Sequence, residues 1–342
     1  MIYGIIYTIL AILSLNNNKI KNYNRLNLLV FISLIIIYGF RHETGGDWFS
    51  NENYYNSVTN FQSFIQYNYN IAFNFLIFIS RFLNIDYSGF IFIQTLIFFY
   101  SIYRFSSFFE NKYFILCLMF PISIMILGSG FIRQGLAFSC FLFFLTTNKK
   151  YNFLFLILAI FFHFTSIIYL SLYLLKFIRT ALVKRIFINI YAFLIILIFL
   201  SFFTYDNIIF YFKHYFTGYY QSSGALLRIL INFISAVLII ILYFKKYFIL
   251  DKDYKEYFLY SSIVVIILSP LVVLYSTPID RIQLYFSFLP AVALYILLDN
   301  IKQSKIKIKM HLNILFVFFF IFWVWYNYGS FSYNWNYNFL FF

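Results

Sequence analysis

Residues 26–40 read LNLLVFISLIIIYGF, an apolar run without a single charge. Its length approaches the roughly 20 apolar residues that a helix needs to cross a bilayer. The run is typical of the chain, because 63% of the 342 residues are hydrophobic, 11% are charged and the mean hydropathy is +0.83. A soluble domain carries roughly 25% charged residues. This chain has too little polar surface for a water-soluble globule, so the sequence predicts an integral membrane protein.

Similar apolar runs recur along the chain, and they predict an all-α, polytopic transmembrane helical bundle of about 10–12 spans. The first run has no basic start and no small-residue cleavage site, so we expect a retained span rather than a signal peptide. No internal repeat or Pro/Gly/Ser-rich linker is visible, which predicts a single integral membrane domain over residues 1–342. The candidate spans lie near residues 1–15, 26–40, 87–103, 113–128, 131–147, 186–204, 226–246, 256–277, 282–298 and 310–327.

Basic residues predict the orientation of the spans, because loops rich in Lys and Arg stay in the cytoplasm. Lys19, Lys21 and Arg25 place the first loop inside. Residues 41–86 then form a large outer loop after the second span. Within this loop, residues 71–84 are apolar over too short a length for a span, which favours an interfacial or re-entrant helix.

Residues 151–175 are about one span long, but a simple crossing would place the most basic loop outside. A break at residues 163–166 removes the conflict, because two short helices, 151–162 and 165–176, would enter from the cytoplasm and return to it. Such a re-entrant hairpin near His163 is allowed where its backbone is buried in protein or lines a wet cavity. The alternative is one ordinary helix with an interior histidine. The basic residues concerned are Lys176, Arg179, Lys184 and Arg185.

With this hairpin, lysines and arginines sort differently across the membrane. Of sixteen lysines, Lys213 alone lies outside, whereas five of nine arginines do. The charge rule does not explain this excess of outer arginines. A guanidinium binds carboxylate or phosphate through two parallel hydrogen bonds and keeps its charge when desolvated. The outer arginines are Arg41, Arg81, Arg133, Arg228 and Arg281.

Four of these arginines lie at outer helix ends and would form a rim around a cavity that faces outward. An anionic ligand with several phosphates suits such a rim. The alternative is that each arginine reaches lipid phosphates or pairs with a nearby acid, as Arg281 could with Asp280. The candidate binding residues are Arg41, Arg133 with Gln134 beside it, Arg228, Asp280 and Arg281.

The stretch RHETGGDW at residues 41–48 groups a cation, an imidazole, two carboxylates and a Gly-Gly turn. A carboxylate can take the proton from a sugar hydroxyl as that hydroxyl attacks. Glu43 and Asp47 are therefore candidate general bases, and helix capping or pairing with Arg41 is their alternative role. Asp280 is a further outer acid, whereas for Asp206 we favour the structural role.

His163, near the tip of the proposed hairpin, could donate to a phosphate or act as a base, and a satisfied core histidine is the alternative. The four scattered histidines have no metal-ligand spacing, so we expect no metal site. No GxGxxG, P-loop or CxxC pattern indicates a nucleotide or redox cofactor. We therefore expect chemistry without a cofactor.

Taken in order, these motifs resemble the EpsG family, which comprises Wzy-like polymerases of bacterial exopolysaccharide, capsule and O-antigen. The resemblance spans roughly residues 30–300. The matching stretches are residues 39–47 followed by Tyr54 and Tyr55, residues 132–137, residues 161–166, and Asp280-Arg281 with Tyr285-Phe286.

The resemblance implies a membrane glycosyltransferase at the outer face of the bacterial cytoplasmic membrane. The growing glycan on undecaprenyl pyrophosphate would be the donor, and a hydroxyl of a newly flipped lipid-linked repeat unit would be the acceptor. Outer arginines would stabilise the pyrophosphate leaving group, and Glu43, Asp47 or His163 would activate the hydroxyl. Membrane lipid, a flippase and a chain-length regulator are the candidate partners. Nucleic acid is not, because most of the +14 charge is cytoplasmic lysine.

Two other functions remain open. A flippase or exporter of lipid-linked glycan would also bind pyrophosphate, but transporters commonly have internal repeats and polar groups at the midplane. Here no repeat is visible and the acids lie at membrane edges, which favours an enzyme. An O-antigen ligase shares the donor chemistry, and only the motif resemblance favours a polymerase over it.

Overall fold

The computed structural model describes residues 2–17, 24–59, 70–147, 152–180, 222, 224–248 and 252–340. Within these segments the chain is almost wholly helical, and the sheet found there is one pair of two-residue strands. The prediction of an all-α polytopic bundle is confirmed.

The described segments contain fourteen α-helices, a π-helix and two short strands. The helices are α1 (Ile2–Leu15), α2 (Asn24–Gly39), α3 (Trp48–Ser57), α4 (Ile71–Phe82), α5 (Tyr87–Ser106), α6 (Lys112–Met119), α7 (Ile132–Thr146), α8 (Leu154–Phe162), α9 (Ile167–Thr180), α10 (Ala225–Phe244), α11 (Lys252–Leu268), α12 (Ser276–Leu284), α13 (Leu289–Asp299) and α14 (Ser304–Tyr328). The π-helix is Phe120–Gly130, and the strands are β1 (Arg41–His42) and β2 (Asn338–Phe339). Short 3-10 helices occupy Phe164–Ser166, Ser269–Val273 and Ser332–Trp335.

Several of these helices are apolar and long enough to make the chain a multi-pass membrane protein. By length and composition five described helices could cross a membrane, or six if the bent pair α12 and α13 is one span. Shorter apolar helices include α1, α4 and α7. The total of 10–12 spans stays a prediction. The predicted span 186–204 lies outside the described residues, as do Lys19, Lys21, Lys184, Arg185, Asp206, Lys213 and His214.

The chain separates into two compact units, residues 1–164 with 290–342, and residues 165–289. In the first unit the span Lys112–Gly130 is buried along its whole length. It packs against α1, α5, α7 and α14, so it forms the centre of this unit. In contrast, only 17% of the apolar window of α14 is buried, which leaves apolar side chains such as Phe316 and Phe320 exposed for lipid.

Local sequence explains where the central helices begin and change. Asn111 caps α6, because its Oδ1 accepts the N–H of Phe114 at 3.1 Å. The helix widens to a π-helix at Phe120, directly before Pro121, whose ring and missing N–H do not fit an α-helix interior. π-Helical segments occur frequently at functional sites. This one ends at Gly130, next to the loop that follows α2.

In the second unit α10 packs against α11 and α12, and α9 packs against α11. A small apolar cluster joins Ala225, Ile229, Val272 and Ile279. Beside it, Nδ2 of Asn232 donates to the carbonyl oxygen of Gln283 at 2.8 Å. Such hydrogen bonds link apolar helices because lipid offers no polar partner.

The predicted break at residues 163–166 is confirmed. α8 ends at Phe162, and a 3-10 turn precedes α9. His163 itself has an extended backbone, with φ −157° and ψ 117°. The re-entrant hairpin stays a prediction.

Candidate functional site

The loop that carries Arg41, Glu43 and Asp47 is held by the C-terminal end of the chain. β1 and β2 pair antiparallel, with Arg41 opposite Phe339. The N–H of Leu340 donates to the carbonyl of Phe40 at 2.9 Å. We call residues 329–340 the C-terminal strap, because the backbone hydrogen bonds of this segment fasten the loop.

The loop also lies against the end of the π-helix. Gly45 has φ +117°, and a Cβ atom there would lie 2.0 Å from the carbonyl oxygen of Ser129. Only glycine fits both constraints. Trp335 of the strap packs against the same end of the π-helix. Its Nε1 donates to the carbonyl of Met125 at 3.0 Å, and its ring leaves no room for a Cβ on Gly130.

Tyr337 connects the strap to the C-terminal end of α2. Its hydroxyl donates to the carbonyl oxygen of Ile37 at 2.9 Å. Burial raises the pKa of Tyr337 to about 12. The phenol therefore stays protonated, and remains a hydrogen-bond donor, at any physiological pH.

Arg41 lies beneath this strap with only 1% of its surface exposed. One nitrogen, Nη1, donates to the carbonyl of Tyr38 and, at 3.0 Å, to Oγ1 of Thr95. Nε and Nη2 have no acceptor in the segments that the structure describes. Within the described part of the chain no carboxylate pairs with this guanidinium; the nearby titratable groups are tyrosines, and burial lowers the pKa of Arg41.

A buried cation without an anion costs several kcal/mol. The protein retains this unfavourable free energy at Arg41, in the middle of the packing that holds the strap to the loop. Two N–H groups on adjacent nitrogens, Nε and Nη2, form the fork that binds a phosphate or carboxylate in bidentate fashion. The arrangement can therefore bind an anion.

Glu43 differs from Arg41 in being exposed. Its side chain is 48% exposed, and its Oε1 lies 3.7 Å from Nε2 of His42. Its backbone has φ 47°, a left-handed conformation that costs a non-glycine residue about 1–2 kcal/mol. Asp47 is half-buried at the start of α3, and its side chain does not cap that helix. The two candidate bases therefore lie on the same short loop as Arg41.

Arg133 stands at the start of α7 and is half-buried. Its guanidinium lies 5.9 Å from the ring centres of Tyr54 and Phe73, close enough for cation–π attraction. The described residues offer it no carboxylate at salt-bridge distance. Gln134, the next residue, is buried. Arg133 thus resembles Arg41 in being a cation that aromatic rings surround.

His163 is half-buried directly after α8, and its N–H closes the last helical turn on the carbonyl of Ala159 at 2.9 Å. In the part of the chain that the structure describes, no three His, Cys, Asp or Glu side chains are placed to hold a metal ion.

The remaining candidates belong to the second unit, where Arg228 and Asp280 bind each other. Nε and Nη2 of Arg228 donate to the two carboxylate oxygens of Asp280 at 2.8 and 2.6 Å, and Ser222 donates to the same carboxylate at 2.6 Å. Asp280 therefore pairs with Arg228 rather than with its neighbour Arg281, which is half-buried on α12. A closed bidentate pair of this kind is typical of a structural contact.

Sequence reasoning found the loop but missed the strap and three buried polar side chains near the loop: Trp48, Asn51 and Gln94. One weak signal existed for the strap, since residues 328–342 carry no charge although they follow the last span. Nothing in the local pattern distinguishes Asn51 or Gln94 from other amides of the chain. The proposed rim of four arginines stays a prediction.

The chain matches a known protein family over most of its length. A sequence model described as the EpsG family covers residues 24–339. No curated protein and no solved structure matches the chain significantly.

Proposed function

The chain belongs to the EpsG family of Wzy-like polysaccharide polymerases, and from this premise we propose that it polymerises lipid-linked oligosaccharide repeat units at the outer face of the bacterial cytoplasmic membrane. Family membership supports polysaccharide polymerisation. We propose in addition the lipid carrier, the location at the outer face and the roles of the residues. We also propose that the whole chain acts as a single domain.

In the proposed reaction the acceptor hydroxyl of one repeat unit attacks the anomeric carbon of the glycan held on undecaprenyl pyrophosphate. A glycosidic C–O bond forms, the bond between that carbon and the pyrophosphate oxygen breaks, and the bonding electrons leave with undecaprenyl pyrophosphate. A base takes the hydroxyl proton. The developing charge on the pyrophosphate needs fixed positive charge nearby.

The burial of Arg41 without an acid is the observation that carries this proposal. Its Nε and Nη2 groups have no acceptor among the described residues, so an incoming phosphate would supply the missing partner. Fixed donors in a site of low polarity stabilise developing charge more strongly than donors in water. Arg133 is the second cation with this role, and Gln134 and Arg281 are further candidates for contact with the substrate.

We propose Glu43 or Asp47 as the base, with His163 as the third candidate. Glu43 is the most accessible of them, and its strained backbone is the kind of local cost that functional sites maintain. Arg228 and Asp280, which satisfy each other, keep at most an indirect role. A flippase that delivers the repeat unit and a chain-length regulator are the proposed partners.

The test is deletion of the gene followed by measurement of glycan length. A polymerase deletion leaves single repeat units on the carrier or on its final acceptor. Loss of a flippase would instead accumulate repeat units on the cytoplasmic leaflet, and loss of a ligase would leave long glycans on the lipid carrier. Either of these two outcomes, or long chains of wild-type distribution, contradicts the proposal.

A further inference from the structure

We propose that the buried face between α3 and α5, next to Arg41, binds the sugar attached to the pyrophosphate. This inference rests on the proposed function and adds to it a sugar subsite, formed by Trp48, Asn51 and Gln94. Nothing in the family match assigns these three residues a role.

The three side chains are buried, and their polar atoms lack hydrogen-bond partners in the described part of the chain. Trp48, Asn51 and Gln94 are 2%, 1% and 2% exposed. Within the described segments, the amide nitrogens and oxygens of Asn51 and Gln94 have no hydrogen-bond partner, and the indole N–H of Trp48 has none either. Buried amides are normally satisfied, and each exception is costly. Five such polar atoms, on two helices that meet at Tyr87, therefore indicate a missing ligand.

Helix geometry brings the first two residues together. Trp48, Asn51 and Tyr55 lie at i, i+3 and i+7 on one face of α3. This face packs on Tyr87, at the start of α5, whose ring centre is 5.1 Å from that of Trp48 and 5.6 Å from that of Tyr55. The Tyr87 hydroxyl donates to the carbonyl of Trp48 at 3.1 Å.

The same face of α5 leads to Arg41. Gln94 lies seven residues after Tyr87, two helical turns along the face that Tyr87 begins. Its neighbour Thr95 accepts the hydrogen bond from Nη1 of Arg41 at 3.0 Å. On α5, therefore, Gln94 directly precedes the residue that binds Arg41, and Tyr87, which packs on α3, lies two turns away on the same helix.

The chemistry of these groups distinguishes a sugar from a second phosphate. Each amide of Asn51 and Gln94 has both an acceptor oxygen and a donor NH2. A sugar hydroxyl, which donates and accepts, can satisfy both, whereas a phosphate can satisfy only the donors. The rings of Trp48 and Tyr87 offer apolar faces to the C–H groups of a sugar. The subsite is therefore neutral, and it adjoins the cationic nitrogens of Arg41, as a sugar phosphate requires.

Entry to this subsite requires α3 to move away from α5. α3 covers the cluster with one face and exposes the other, where Phe49 is 59% exposed. Gly45 and Gly46 precede the helix, with Asp47 alone between them and Trp48. Binding of the sugar would replace contacts between the two helices with hydrogen bonds to its hydroxyl groups.

The test compares two apolar variants, Asn51→Leu and Gln94→Met, with a matched control, Asn27→Leu. Asn27 is an equally buried asparagine of the same unit, but its Oδ1 accepts the hydroxyl of Tyr113 at 2.5 Å. The full chain is purified in nanodiscs. Thermal unfolding is measured, together with the Kd for two probes, undecaprenyl pyrophosphate and the lipid-linked repeat unit extracted from the source cells.

We expect Asn51→Leu and Gln94→Met to raise the Tm, because they remove unsatisfied groups, and to weaken binding of the repeat unit about tenfold each. Their Kd for undecaprenyl pyrophosphate should stay that of the wild type. Asn27→Leu should lower the Tm and change neither Kd.

Wild-type Kd for the repeat unit in both variants overturns the sugar subsite, as does a fall in Tm in both, since it would mean that the amides have protein partners. If the wild-type chain binds the lipid-linked repeat unit with the same Kd as undecaprenyl pyrophosphate, the sugar subsite is overturned but the proposed function stands. A wild-type chain that binds neither probe overturns the proposed function itself.

Discussion

At the scale of single residues, the structure shows different environments for arginines that the sequence placed in one set of candidate binding residues. Arg228 is neutralised by Asp280 through two short hydrogen bonds. Arg41 is more deeply buried, at 1% exposure against 14% for the side chain of Arg228, and it has no acid among the described residues, whereas Arg133 lies over aromatic rings. Since a buried charge is retained without compensation only at a cost, Arg41 is the arginine for which a ligand best explains the environment.

Stability and activity should therefore change in opposite directions at Arg41. Arg41→Met removes a buried unpaired charge, so we expect unchanged or greater stability, by up to about 1–4 kcal/mol, together with loss of chain growth. Arg41→Lys keeps a charge but loses the planar fork, and should reduce chain growth about 10²-fold. Thermal unfolding and gel analysis of glycan length measure the two effects. Wild-type chain length in Arg41→Met would remove Arg41 from the mechanism.

The Arg228–Asp280 pair should show the reverse behaviour. Arg228→Met leaves the buried carboxylate of Asp280 without its cation and should lower stability by about 3–5 kcal/mol. Asp280→Leu should cost less, because Arg228 is 14% exposed and keeps its hydrogen bond to Ser222. The double variant Arg228→Met with Asp280→Leu should recover most of this loss. A double-mutant cycle of unfolding free energies checks the coupling. Purely additive losses would mean that the pair is not the structural contact described above.

At the scale of elements, the C-terminal strap is the feature that organises the site. Its backbone pairs with the Arg41 loop, and Trp335 lies against the π-helix end at Gly130. The strap therefore joins two segments of the site that are about 90 residues apart in sequence, residues 41–47 and residues 128–130.

Trp335→Ala should lower stability by about 3–5 kcal/mol and impair chain growth, because the loop loses its cover. Trp335→Phe keeps most of the ring and should lose only the hydrogen bond to Met125, about 1 kcal/mol. Tyr333→Ala, on the exposed side of the same turn at 63% exposure, is the control and should stay within about 0.5 kcal/mol of the wild type. Equal effects at residues 333 and 335 would contradict the role of the strap.

The elements also show which features local sequence determines. The candidate spans 87–103 and 113–128 correspond to Tyr87–Ser106 and Lys112–Gly130, because apolar run length is a local property. The pairing of β1 with β2 joins residues almost 300 positions apart, and no local pattern encodes it. The motif placed Arg41, Glu43 and Asp47 on one loop, whereas the burial of Arg41 and the partner of Asp280 depend on tertiary packing.

At the scale of the whole molecule, the net charge of +14 is expected to divide between a cytoplasmic side rich in lysine and an outer side that carries the site. Cysteine labelling tests this orientation. Phe49→Cys, on the exposed face of α3, should react with an impermeant maleimide in intact cells. Lys305→Cys, exposed at the start of α14, should react only after the cells are permeabilised.

Cys117 and Cys140 are buried, so the background of this labelling should be low. The wild-type chain measures that background directly. Labelling of Lys305→Cys in intact cells, with Phe49→Cys protected, would place the Arg41 loop in the cytoplasm and contradict an outer active site.

The central claim is that this chain joins lipid-linked repeat units, and reconstitution tests it most directly. The purified full chain in nanodiscs receives only the lipid-linked repeat unit, and the products are separated by length while released undecaprenyl pyrophosphate is counted. We predict a ladder of lipid-linked glycans, with one undecaprenyl pyrophosphate released for each bond formed, and no ladder with Arg41→Met. A wild-type chain that yields no product longer than one repeat unit, with neither ladder nor release, would contradict the account.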